Sequence, residues 1–125
     1  MKREQVLTKN APAVVGPYSQ GIKSGGFLFI SGQLPIDMKT GEFPKSIGEQ
    51  TKCCLLNLEA IAKEAGASLQ NAVKLTVFLT DMKDFAEVNA AYSEFFPNSP
   101  PARSCIAVSA LPKNAEMEIE AIVAC

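Results

Sequence analysis

Arg103 stands at the head of an apolar strand pattern, in Pro100-Pro101-Ala102-Arg103-Ser104-Cys105 followed by Ile106 and Val108. Its planar guanidinium presents a rigid fork of donors that fits a carboxylate bidentately, which a lysine ammonium cannot reproduce. Downstream, Glu116-Met117-Glu118-Ile119-Glu120 alternates acids with apolar residues at the strand period of two, so all three carboxylates are expected on one side of a strand. An acid beside an arginine-bound substrate can position or deprotonate a water. Parity alone does not choose among the three, and the plain alternatives are exposed charges or a cross-strand ion pair from Arg103 to Glu118 or Glu120. Cys105 lies two residues from Arg103 and shares its strand face. A nucleophilic thiol needs an activating base or a positive environment, and the chain has no histidine. That absence removes the imidazole of nucleophilic triads and the commonest transition-metal ligand. Chemistry must therefore fall to carboxylates, hydroxyls, backbone groups or the substrate itself, and neither a metal nor a cofactor is expected.

The elements that must position these groups follow from periodicity. Val6-Leu7 suggests a short strand, after which Asn10-Ala11-Pro12 and Gly16-Pro17 break regular structure and predict an ordered loop carrying Tyr18. Gly25-Gly26 between Ile22 and Phe27-Leu28-Phe29-Ile30 signals a hairpin whose second strand ends at Ser31-Gly32. Residues from Pro35 to Pro44 read as a loop. Ser46-Ile47-Gly48-Glu49 fits a capping box. Ile47, Thr51, Cys54, Leu55, Leu58, Ile61, Ala62 and Ala65 then recur at helical spacing, with Gly66 just past the end. Val73, Leu75, Val77 and Leu79 mark a strand, and the preceding helix implies a right-handed crossover into the same sheet. Asp81 is placed as the N-cap of a second helix with the stripe Phe85, Val88, Tyr92, Phe95 and Phe96, ended by Pro97. Asn89 falls on or beside that stripe, where a polar amide must find a partner. Two last strands, Ala102 to Val108 and Glu116 to Ala124, are expected to pair as a hairpin across Leu111-Pro112.

The expected architecture is α+β over one domain, residues 1–125: a single mixed sheet with two helices on one face. Strands such as Val73 to Leu79 and Phe27 to Ser31 carry apolar residues on both sides, so the second sheet face needs cover that a partner subunit could supply. A net charge of −1 leaves no electrostatic footprint for nucleic acid or an anionic membrane, so neither is an expected partner. No apolar run approaches a membrane span, and the charged start is followed by no signal-like segment, which predicts a cytoplasmic protein. Cysteines at 53, 54, 105 and 125 have neither metal-site nor disulfide spacing and read as reduced thiols, with Cys53 and Cys54 in or beside a helix.

Pro101-Ala102-Arg103-Ser104, its apolar strand, the Leu111-Pro112 turn and Met117-Glu118-Ile119 resemble the signature of the RidA (YjgF/YER057c/UK114) family. Gly16-Pro17-Tyr18-Ser19-Gln20-Gly21, Ser31-Gly32-Gln33-Leu34-Pro35 and Phe85-Ala86-Glu87-Val88-Asn89 match it in the same order, across nearly the whole chain. The connection Pro97-Asn98-Ser99-Pro100 is shorter than in many members. The resemblance implies a chorismate-mutase-like fold and a homotrimer with clefts between subunits. It implies hydrolysis of 2-imino acids, 2-iminobutanoate and 2-iminopropanoate among them, to 2-oxo acids and ammonia. By resemblance, Arg103 holds the substrate carboxylate, Glu118 is the acid that acts on water, and the main chain at Cys105 orients the substrate nitrogen. Tyr18, Ser31, Gly32 and Asn89 are placed in the cleft on the same ground, the Tyr18 loop closing over a site on the adjacent chain. Two other readings stand beside it: a regulatory module that binds a small carboxylate without turnover, and a ribonuclease or translation inhibitor.

Overall fold

A computed structural model describes residues 2–125. Six strands form one sheet: β1 (Glu4–Val6), β2 (Gly21–Ser24), β3 (Phe27–Gln33), β4 (Ala72–Leu79), β5 (Ala102–Ala107) and β6 (Met117–Ala124). The helices are α1 (Ile47–Glu64) and α2 (Phe85–Phe95), and short 3-10 turns at Leu69–Asn71, Met82–Asp84 and Pro112–Asn114 join the elements. Among the described residues, no helix is long and apolar enough to cross a membrane.

Strand order is β1-β2-β3-β6-β4-β5, antiparallel except where β4 and β5 run parallel. This corrects the expected terminal hairpin. β6 does not pair with β5 but enters between β3 and β4, with Leu28 opposite Val123 and Val77 opposite Ile119. The reason is burial: Met117, Ile119, Ala121 and Val123 are all buried, and only a central strand can cover a row of that kind along its length. β5, whose residues are half-buried or exposed, takes the sheet edge.

The helices lie on one face. Leu28, Ile30, Leu75, Val77 and Leu79 join the β6 row against Cys54, Leu55, Leu58 and Ile61 of α1 and Val88 and Tyr92 of α2 in one core. α1 begins where Ser46 Oγ accepts from Glu49 N at 3.1 Å, the forward arm of the expected box, and ends before Gly66 in the left-handed region at φ 78°. Asp81 does cap, but through the 3-10 turn that leads into α2, its Oδ1 accepting from Lys83 N at 2.9 Å. Glu87 of α2 reaches back to α1, where its Oε2 accepts from Gly48 N at 2.9 Å, so the helix that carries Asn89 is tied to the helix beneath it. The opposite face is open. Phe27, Phe29, Val73 and Ile106 are each more than two-fifths exposed there or along the β5 edge, and the Phe27 and Phe29 rings lie 6.5 Å apart, centroid to centroid.

Candidate active site

Register decides which side of the sheet each candidate takes. Arg103 and Cys105 lie beside Leu75 and Val77, which are buried against the helices, so both belong to the helix side. Arg103 leans on α2. Its Nη1 donates to Asn89 Oδ1 at 2.8 Å, and its Cζ lies 4.9 Å from the centroid of Tyr92 and 5.5 Å from that of Phe85. Arg103 makes no ion pair among the described residues, so the guanidinium edge not used by Asn89 is available to an anion. Burial pushes the Cys105 thiol up, with Arg103 pulling the other way. That balance leaves a thiol rather than a thiolate, and a main-chain role suits Cys105 better than a nucleophilic one.

Glu118 and Glu120 sit beside Phe78 and Thr76 on the other, open side. There Tyr18, Ser31, Gly32, Lys113, Glu118 and Glu120 help to line a cavity of about 520 Å³. A register shift between Ile30 and Gln33 interrupts the β3–β6 ladder, so the bulge aims Ser31 and Gly32 at this cavity. Burial, and then the neighbouring Glu120 charge, push the Glu118 carboxyl above its ordinary value. Gly32 is what admits Glu118. A methyl group built on Gly32 would fall 2.7 Å from Glu118 Cδ and 2.8 Å from Oε2. Gly32→Ala is therefore expected to push the carboxylate out of place and cost roughly tenfold to a hundredfold in activity, the usual penalty for about 1 Å of misplacement. Melting temperature and kcat/KM measured together check this: a fall in stability with unchanged kcat/KM would count against it.

Glu116 does not join the other acids. It precedes β6, and its Oε1 accepts from Gln50 Nε2 of α1 at 3.0 Å. Strand alternation does not govern a residue outside the ladder, so the expectation of three acids on one side fails at Glu116. The cross-strand ion pair from Arg103 to Glu118 or Glu120 is likewise absent among the described residues. β4 separates the strands, and the side chains point to opposite faces.

The structure thus brings Arg103, Cys105 and Asn89 together on one side, and Tyr18, Ser31, Gly32 and Glu118 on the other. It does not bring the two groups together within one chain. Sequence reasoning missed the supports. Gln20, 1 % exposed, holds the Tyr18 loop: its Oε1 accepts from Thr8 N at 2.7 Å, and its Nε2 donates to Thr8 O and Pro12 O, each at 3.0 Å. Ser31 Oγ donates to Ser19 O at 2.6 Å and joins that loop to the bulge. Asn57, also buried, donates to Leu34 O and Ile36 O at 3.2 and 3.0 Å and fixes the chain that leaves the cavity. Phe85 and Tyr92 were readable only as core stripe residues. A lone Gln beside Gly-Pro-Tyr and a helical Asn in an apolar stretch were the available signals, because buried amides must be satisfied.

A chain with these two halves can grip a carboxylate and manage a proton on water. A family model described as Endoribonuclease L-PSP matches residues 8–125. The chain is 54% identical over 121 residues to the RutC family protein y4sK of Sinorhizobium fredii, covering 96% of each. It is 47% identical over 120 residues to the 2-iminobutanoate/2-iminopropanoate deaminase of Escherichia coli K12, covering 94% of each. The crystal structure of E. coli TdcF with bound serine matches with a TM-score of 0.92 at 41% identity, over 98% of both chains.

Proposed function

This chain belongs to the Endoribonuclease L-PSP family, the family of the RidA-like motifs, and on that premise we propose that it is a 2-iminobutanoate/2-iminopropanoate deaminase. The observation that carries the reading is the Arg103 fork, held on one edge by Asn89 and paired with no carboxylate among the described residues. A protonated imine is already electrophilic, so the protein need only hold it and deliver water. Arg103 binds the carboxylate, while the backbone at Cys105 and Gly32 orients nitrogen and carboxylate. Glu118 accepts a proton from water as the oxygen bonds to the imine carbon. The resulting carbinolamine takes that proton on nitrogen. As the C–N bond breaks, the hydroxyl gives its own proton to the freed Glu118 carboxylate, the C=O forms and ammonia leaves; Glu118 then passes that proton to the departing ammonia or to water. Positioning supplies most of the rate.

Because the two halves lie on opposite faces of the sheet, a complete site needs a second copy of the chain. We assign the assembly as a homotrimer in which the Arg103 side of each copy meets the Glu118 side of the next. A head-to-tail contact of this kind makes a ring where its rotation closes, and it also covers the open apolar face. Four unpaired cysteines suit a reducing, cytosolic setting.

Ammonia release from freshly generated 2-iminobutanoate, with and without the protein, tests the activity; no acceleration would defeat it. One observation favours a second reading, binding without turnover: the related E. coli TdcF was crystallised with bound serine. Binding of 2-oxobutanoate without faster ammonia release would select that reading. The endoribonuclease in the family's description finds less support here, since the chain has net charge −1 and no histidine.

The raised carboxyl of Glu118 sets a pH dependence. Its base form therefore appears at higher pH than that of an unperturbed carboxylate, so kcat/KM is expected to rise with pH through a limb displaced upward. Glu120→Gln removes the like charge and should move the limb down, read from kcat/KM against pH. The stability sign is opposite. An acid with a raised folded pKa binds more protons folded than unfolded, so its contribution declines as pH rises through the same window.

A further inference from the structure

Phe85, Asn89 and Tyr92 are spaced by four and then three residues on α2, which places them on one stripe of the helix. All three converge on a single group. Asn89 takes one edge of the Arg103 guanidinium, and the two rings lie within cation–π range of its carbon. Tyr92 is 6% exposed, and its hydroxyl has no hydrogen-bond partner among the described residues. Burial pushes that phenol up to about 12, so it stays neutral at working pH. A buried tyrosine whose hydroxyl is unpartnered contributes through its ring, and the ring faces a cation. Phe85 is 38% exposed despite its size and lies near the same guanidinium.

We propose that Phe85 and Tyr92 are positioning residues for the carboxylate anchor, holding the guanidinium so that the edge left free by Asn89 faces the cleft. This rests on the reading of Arg103 as the residue that grips the substrate carboxylate. An unrestrained arginine samples many rotamers and must be ordered when the anion binds, which lowers affinity. Here Asn89 fixes one edge and the rings restrict the head group, so that ordering precedes binding. The ring faces also attract the cation without competing for its N–H donors, as a carboxylate neighbour would.

Titration of the intact protein with 2-oxobutanoate, following the Arg103 side-chain N–H resonance in nitrogen-15 spectra, tests the assignment. In the wild type that resonance should carry a ring-current shift. Tyr92→Leu is expected to lose the larger part of the shift, Phe85 keeping the rest, and to weaken binding about tenfold, the scale of a partly desolvated cation–π contact. Tyr92→Phe should restore both. Phe85→Leu changes a more exposed ring and should weaken binding roughly threefold, which keeps the test available if Tyr92→Leu does not fold. If either leucine variant binds 2-oxobutanoate as tightly as wild type while Arg103→Ala abolishes binding, the rings have only a structural role and the proposal falls alone. If Arg103→Ala itself binds normally, the anchor reading falls and the proposal with it.

Discussion

Arg103→Ala is expected to lower kcat/KM by roughly two to three and a half decades, the equivalent of about 3–5 kcal/mol for removing one partner of a desolvated charge pair. The size follows from where the cation sits. Arg103 is half-buried, is hydrogen-bonded to Asn89, and pairs with no carboxylate among the described residues. In the proposed assembly, where a neighbouring copy closes the cleft, a substrate carboxylate without the fork would be left unpaired and out of water. Arg103→Lys should recover only part of the loss. An ammonium is a point charge that cannot donate two parallel bonds to a carboxylate, and it lacks the planar face that packs on Tyr92 and Phe85. Steady-state ammonia release from freshly generated imine measures both variants. Near-full activity in Arg103→Ala would remove the anchor and the mechanism built on it.

Glu118→Gln should cost roughly 10²- to 10⁴-fold, the usual range for a lost general base, and the more telling result comes from mixing. Arg103→Ala and Glu118→Gln chains are each expected to be nearly inactive alone, yet to regain activity when refolded together. Each proposed site takes Arg103 from one copy and Glu118 from the next. With random assembly of equal amounts, about one quarter of sites receive an intact arginine and an intact glutamate. A regain approaching that fraction would be strong support for the shared site. No regain, in mixtures shown by mass to contain both chains, would mean that the halves never meet across an interface and that the split site is wrongly assigned. A double variant carrying both changes on one chain, mixed with wild type, gives the complementary control, since it contributes neither half.

Much of the fold was legible because its signals are local. The Ser46 cap, the α1 stripe from Ile47 to Ala62, the Gly25-Gly26 turn and the alternation from Val73 to Leu79 depend on residues a few positions apart. The candidate residues were legible as well, through residue chemistry and the motifs that surround them. The terminal hairpin was misread because pairing adjacent strands is only a tendency, and burial of the whole Met117 to Val123 row overrode it. Glu116 was misread because alternation was extended one residue past the ladder. Gln20 gave no periodic signal at all. Its partners, Thr8 and Pro12, lie across an irregular loop whose path only the folded chain defines.

By itself the sequence determined six strands, two helices, a lone unhistidined set of polar groups and an arginine suited to a carboxylate, because composition, period and side-chain chemistry are properties of the chain alone. Only the tertiary structure decided that Arg103 and Glu118 occupy opposite faces, that Gly32 makes room for the carboxylate, and that two rings of an apparent core stripe bracket the guanidinium. Those facts depend on strand order and register, which are set by long-range burial and leave no local mark.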